Sequence, residues 1–197
     1  MTRTLKVVAV SGSLTQPSKT TALVEAIAAT FGEALPIESH LIELHDLGPK
    51  LAGALWRSQL PAEAEDELQR IETADLLIVA SPVYRASFTG LFKYVFDFVD
   101  QYALVDTPVL LAASGGSERH ALIIEHQFRP LFGFFQALTL PIGIYAMDSD
   151  FTDYKVSNPS LKERIDKAVA KSLPIITSNL EEKDEIARAL EGETAEA

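Results

Sequence analysis

The 197-residue sequence predicts an α/β protein: a parallel sheet with helices on both faces. Two observations carry that expectation. Short runs rich in Val, Ile, Leu and Ala recur at residues 5–10, 37–44, 75–80, 108–113 and 142–146. Segments with helical apolar spacing separate or follow them. Strands that alternate with helices must be joined by crossovers, which leads to a parallel sheet covered on both faces.

Each element has its own local warrant. Residues 5–10 are rich in β-branched side chains, which suit a pleated strand. In 18–31, Ala22, Leu23, Ala26 and Ile27 recur at helical spacing. Residues 37–44 alternate enough for a second strand, and 49–60 read as a loop with a short helix. Residues 61–73 read as a helix, with Pro61 suited to its first turn. The third strand, 75–80, leads into a helix over 87–102 that opens on a serine. The fourth strand, 108–113, precedes one long helix over 117–138. A fifth strand over 142–146 and a helix over 160–179 complete a single domain spanning 1–180. Residues 181–197 are polar and alanine-rich and read as a frayed helix or disordered tail.

Right-handed crossovers restrict how five such strands can be ordered. Their number and the chain length fit the flavodoxin-like doubly wound order 2-1-3-4-5. In that arrangement a ligand sits outside the carboxyl ends of the strands, at the switch point between the first and third.

Composition narrows the function classes. Hydrophobic residues make up 47% and charged residues 23%, as expected of a globular chain. No apolar run reaches the roughly 18 residues of a membrane span. The start of the chain lacks the features of a signal peptide, so a cytoplasmic protein is expected. With no cysteine, disulfides, thiolate catalysis and Cys-based metal sites are excluded. No His/Asp/Glu spacing suggests a metal site. The net charge of −11 argues against nucleic-acid binding, although seven acids lie in 181–197 against only Lys183 and Arg188.

Three polar loops fall at the strand ends. After the first strand comes Ser11-Gly12-Ser13-Leu14-Thr15-Gln16-Pro17-Ser18-Lys19-Thr20-Thr21, dense in hydroxyls, with a helix starting near Ser18. Free amides at a helix N-terminus and the helix dipole attract anions. Ser11, Ser13, Ser18 and Thr20 can add hydroxyl donors, Lys19 can neutralise charge, and Gly12 permits close backbone approach. The loop lacks Gly-x-x-x-x-Gly-Lys-Ser/Thr and Gly-x-Gly-x-x-Gly, so a monophosphate suits it better than a triphosphate. After the third strand, Ser81-Pro82-Val83-Tyr84-Arg85 offers a rigid turn, the amides of Val83, Tyr84 and Arg85, and an aromatic ring for a flat heteroaromatic ligand. After the fourth, Ser114-Gly115-Gly116-Ser117 lets the backbone approach without side-chain obstruction.

Together these loops resemble those of the NAD(P)H-dependent FMN reductase family, over about residues 4–178. The matching segments are Gly-Ser-x-x-x-Pro-Ser-Lys-Thr, Pro-Val-Tyr-Arg-Ala-Ser-Phe-Thr-Gly and Ser-Gly-Gly-Ser. The stretch from Glu118 to Phe132 is similar to the reductase components of two-component methanesulfonate and alkanesulfonate systems. The resemblance implies FMN with its phosphate near Ser11, Ser13, Ser18, Lys19 and Thr20. It implies the isoalloxazine against Pro82, Val83, Tyr84 and Arg85, with Ser114, Gly115, Gly116 and Ser117 on another edge. Thr15 stands where relatives often carry an arginine, leaving Lys19 as the basic residue of that loop.

By the same resemblance, NADH or NADPH (NADH favoured) reduces FMN, and reduced FMN passes to a flavin-dependent monooxygenase acting on an organosulfur substrate. Hydride transfer is the cofactors' own chemistry, so no catalytic acid or base is expected. His126 matches a position that in related reductases accompanies a π-helical irregularity at a subunit interface, making it a candidate for interface and flavin release. Aromatic residues on several sides of the segments around Phe92 and Phe132 suggest oligomer contacts. The resemblance implies a dimer or dimer of dimers, a homotetramer. A quinone or azo reductase that retains FMN, and a flavodoxin-type electron carrier, are the competing readings.

Overall fold

The computed structural model describes residues 3–195, and a six-stranded sheet forms its centre. Strand β1 (Leu5–Ser11) lies between β2 (Ile37–Glu43) and β3 (Leu76–Pro82), and β4 (Pro108–Gly115) pairs with β3. All pairs are parallel, in the expected order 2-1-3-4-5. The register sets Ser11 beside Ala80 and Pro82 beside Ser114, which brings three strand ends level.

The fifth strand differs from expectation. It is split into β5 (Leu138–Thr139) and β6 (Ile144–Met147), both paired with β4. Pro141 has no N–H for a ladder. At Gly143 a Cβ would lie 2.6 Å from Ile124, so the chain there runs tight under its neighbour.

Helix α1 (Lys19–Ala34) follows β1, and α2 (Leu44–Leu51) follows β2 directly, starting where a strand end was expected. Helix α3 (Ala62–Glu72) leads to β3. Helix α4 (Gly90–Phe96) is much shorter than 87–102. Its cap is Thr89, whose side chain accepts from the Phe92 amide, because Tyr84–Ser87 is used in a tight turn. The helix expected over 117–138 is in three pieces: a 3₁₀ turn (Glu118–His120), a π-helical turn (Ile124–Phe128) that contains His126, where the resemblance implies such an irregularity, and α5 (Arg129–Phe134). A hairpin of β7 (Phe151–Thr152) and β8 (Lys155–Val156) precedes α6 (Pro159–Ala195). Helical backbone therefore continues past the expected end at 179. Arg3 ties this extension to the sheet, contacting Asp184 at 2.9 Å and Asp75 at 2.6 Å. The last two residues of the expected tail lie outside the described residues.

Each face of the sheet carries its own core. Leu23, Ile27 and Phe31 of α1 and Leu161, Ile165 and Val169 of α6 pack on one. Residues of α2 to α5 pack on the other. The aromatic richness near α4 and α5 serves this second core: Phe92, Phe96, Phe128, Phe132 and Phe135 are buried and stack on one another at centroid separations of 4.8–6.4 Å. Those rings do not form the surface that their spacing suggested. Exposure in this region falls on Phe134, a ring the spacing also placed at the surface, and on Leu122 and His126.

Candidate functional site

The level strand ends enclose a cavity of about 350 Å³. It is lined by Ser13, Thr15, Pro17, Ser18, Lys19 and Thr20 from the first loop, Pro82, Val83 and Tyr84 from the second, and Ser114, Gly115 and Gly116 from the third. Asp148 and Tyr154 complete the wall. The three loops thus share one space.

Ser18 is extended and caps α1, accepting the Thr21 amide at 3.2 Å. Capping consumes one of the orphan amides of the helix end; Lys19 and Thr20, which precede it, line the cavity, so an anion there would lie at the positive end of the dipole. The Thr20 hydroxyl is buried and bonded to that of Ser114 at 2.7 Å, which ties the first loop to the third. Lys19 Nζ reaches Asp148 Oδ1 at 2.8 Å.

Ser11 stands apart from this lining. It is fully buried, with its hydroxyl 2.8 Å from that of Thr21, which in turn donates to Glu43. A hydroxyl has a single hydrogen. Since that of Thr21 goes to Glu43, Ser11 donates to Thr21 and its hydrogen is committed behind the loop. Gly12 also serves the scaffold. A Cβ there would lie 2.9 Å from that of Ser81 and 3.0 Å from the Ala80 carbonyl, and its own amide donates to Ala80.

In the second loop two of the three amides expected to be free, those of Val83 and Tyr84, are taken. Val83 N–H donates to Ser114 at 2.8 Å, and Tyr84 and Ser87 exchange reciprocal backbone bonds. Arg85 and Ala86 form the turn between them with φ of 50° and 65°. Two successive positive φ values give a type I′ turn, which usually draws Gly or Asn. Arg-Ala carries no such signal, hence the helical reading. The turn presents Pro82, Val83 and a 48% exposed Tyr84 ring to the cavity, so side chains rather than the Val83 and Tyr84 amides make the shelf. Arg85 points its exposed side chain outside the lining.

In the third loop, Gly115 leaves room for Tyr145: a Cβ would lie 2.5 Å from its hydroxyl, which donates to the Ser117 carbonyl at 2.6 Å. Burial and the nearby Asp148 charge push the Tyr145 phenol up. Ser117 caps the following 3₁₀ turn and is outside the lining.

Four lining residues were not singled out as ligand-binding from the sequence: Thr15, Pro17, Asp148 and Tyr154. The last two come from beyond β6. Buried Asp150 accepts the Met147 amide at 2.8 Å and the Asn158 side chain at 2.5 Å, and so fixes the turn that carries Asp148. Asp153 and Tyr154 form a second turn with positive φ, 48° and 56°, at the hairpin tip. Backbone held in this region by non-glycine residues concentrates at ligand sites. Both of these two-residue turns adjoin the cavity, whereas Asp106 and Gln136, also at positive φ, lie outside its lining.

His126 is exposed and lies outside the lining, within the π-helical turn. The hydrogen-bond ladder widens there: Glu125 N–H and His126 N–H both donate to Leu122, while Arg129 N–H reaches back five residues to Ile124. Arg129 clamps the segment to the gap in the fifth strand through Thr139, Leu140 and Pro141. Gln127 accepts from the Ser87 hydroxyl at 3.1 Å, which links the π turn to the loop bearing Tyr84.

A cavity with a helix N-terminus, hydroxyls and an ammonium at one end and an aromatic shelf at the other fits a phosphorylated flat ring. The sequence pattern of the family described as NADPH-dependent FMN reductase matches residues 5–152, which contain every lining residue except Tyr154. The chain is 58% identical over 180 residues, 91% of its length and 96% of the relative's, to the NADH-dependent FMN reductase SfnF of Pseudomonas fluorescens (strain Pf0-1). It is 54% identical to an FMN reductase (NADPH) of Pseudomonas aeruginosa, covering 89% of the chain and 94% of the relative. A crystal structure of an NADH:FMN oxidoreductase, EmoB, in its apo form superposes with a TM-score of 0.77 at 29% identity, covering 89% of this chain and 90% of that one.

Proposed function

We propose, given that this chain belongs to the NADPH-dependent FMN reductase family and is an NAD(P)H-dependent FMN reductase, that it releases reduced FMN to a flavin-dependent monooxygenase of organosulfur metabolism in the cytoplasm. The observation that carries this reading is the high identity, over nearly the whole chain, to relatives named for reducing FMN itself. A protein that reduces FMN treats it as a substrate and must let it go. NADH is the favoured donor, after the SfnF relative, although the Pseudomonas aeruginosa relative is named for NADPH.

When bound, FMN supplies the ring that takes hydride from nicotinamide. The work of this chain is to hold and orient. The start of α1, with Ser13, Ser18, Lys19 and Thr20, would take the phosphate; Pro82, Val83 and Tyr84 would support the ring; and Gly115 and Gly116 would border its edge. Arg85 and Ser117 stand next to this lining, and Ser11 behind it. Tyr84 is half exposed, which leaves the shelf open to a second flat ring. His126 and the π turn would connect this loop to a subunit contact in a dimer or dimer of dimers.

Steady-state oxidation of NADH and NADPH, with and without added FMN, FAD and riboflavin, tests the reading. Oxidation is expected to follow added free FMN, with NADH the better donor. A purified protein that stays yellow and reduces quinones without added flavin would instead favour retained FMN.

A further inference from the structure

The phosphate end of the cavity is built with its own competitor. Lys19 and Asp148 are the two charged residues of the lining, and they are paired at 2.8 Å. Their formal charges cancel, so the lining presents no net positive charge to a phosphate of about −1.5 to −2 at neutral pH. Asp148 is not there by accident of a flexible surface. Its turn is pinned by buried Asp150, which takes the Met147 amide and the Asn158 side chain. Its second carboxylate oxygen lies 3.4 Å from where a Cβ of Gly116 would stand, against the glycine turn at the cavity's edge.

We propose that Asp148 is an affinity-setting residue of the reductase. It holds Lys19 and places a negative charge beside the phosphate, so that FMN is bound weakly enough to leave. This rests on the assignment of the flavin phosphate to the start of α1. A phosphate entering there must share or take Lys19 from Asp148, and it feels the carboxylate directly. The pair is partly exposed, with side-chain exposures of 35% and 62%, so the penalty is moderate and sensitive to salt. Riboflavin carries no phosphate and would be indifferent to it.

Binding of FMN and riboflavin to the full chain, by quenching of flavin fluorescence, tests the proposal in wild type, Asp148→Asn, Asp148→Glu and Lys19→Ala. Asp148→Asn is expected to tighten FMN about five-fold at low salt, an effect of the order of a released exposed ion pair, and to leave riboflavin unchanged. The KM for FMN should fall with it, and Asp148→Glu should keep the wild-type affinity. The gain should shrink in 1 M salt, where the screening length is about 3 Å. An unchanged FMN affinity in Asp148→Asn, or an equal change for riboflavin, overturns the proposal. If Lys19→Ala still weakens FMN alone, the phosphate assignment survives that failure. If Lys19→Ala together with Ser18→Ala leaves the preference for FMN over riboflavin intact, the assignment falls and the proposal with it.

Discussion

Gly115 shows how a single residue sits between scaffold and ligand. Its sequence context reads as an open turn for a ligand to approach, yet the space beside it is filled by the Tyr145 hydroxyl. Gly115→Ala should lower stability by about 1–3 kcal/mol, the usual cost of forcing a methyl into a filled position. Tyr145→Phe should recover much of that loss in the double variant while costing about 1 kcal/mol alone, through the bond to Ser117. Urea titration of the four proteins checks both; strict additivity would place the clash elsewhere. Most cavity residues of the first three loops were legible because each follows a strand end directly. Asp148 and Tyr154 were not, because their approach depends on the split fifth strand and on a hairpin too short to leave a pattern. The burial of Ser11 was not legible for another reason: nothing local says that its hydroxyl will find a threonine ten residues on.

Among elements, strands and long amphipathic helices were legible from periodicity; the tight turns were not, and the π irregularity at His126 was legible only through the resemblance, not through spacing. The segment from 117 to 138 has helical spacing throughout, but the widened ladder at Ile124–Phe128 is set by Arg129, Gln127 and the packing of Gly143 under Ile124, all tertiary contacts. The link between α3 and the chain after α4 is electrostatic. Arg57 binds both Glu65 and Glu72 and also donates to the Phe98 carbonyl. These bonds raise the Arg57 guanidinium further and hold the Glu65 carboxyl below its ordinary value. In the unfolded chain Glu65 protonates near the usual value of about 4.3. The contribution of this carboxylate is therefore complete above that pH and disappears as pH falls toward the lowered folded value. Arg57→Met is expected to reduce stability at pH 7 and to flatten its decline below pH 4.5, measured by thermal unfolding across pH. A parallel decline in both proteins would remove Glu65 from the account.

At the scale of the molecule, the order of the sheet follows from five strand runs and the handedness of crossovers, and was legible; the surface was less so. The rings that suggested an interface are inside, and what remains outside is a stripe of Leu122, His126, Pro130 and Phe134, with Leu122 and Phe134 63% and 64% exposed. If this stripe joins subunits, Phe134→Asp should shift the protein to a smaller species in size-exclusion chromatography with light scattering, with no loss of monomer folding, since the ring is already in solvent. An unchanged mass would assign the contact to another face. The broken fifth strand has a consequence of a different kind. A sheet must end somewhere, and an unpaired edge is a template on which another chain can add a strand. Here one margin consists of two short pieces, Leu138–Thr139 and Ile144–Met147, interrupted by a proline. The other is β2, which turns Glu38 and Ser39 to solvent. The fifth-strand margin therefore offers no long row of free amides and carbonyls, and its interruption protects that side of a sheet rich in buried Val, Ile and Leu from growing sideways into aggregates.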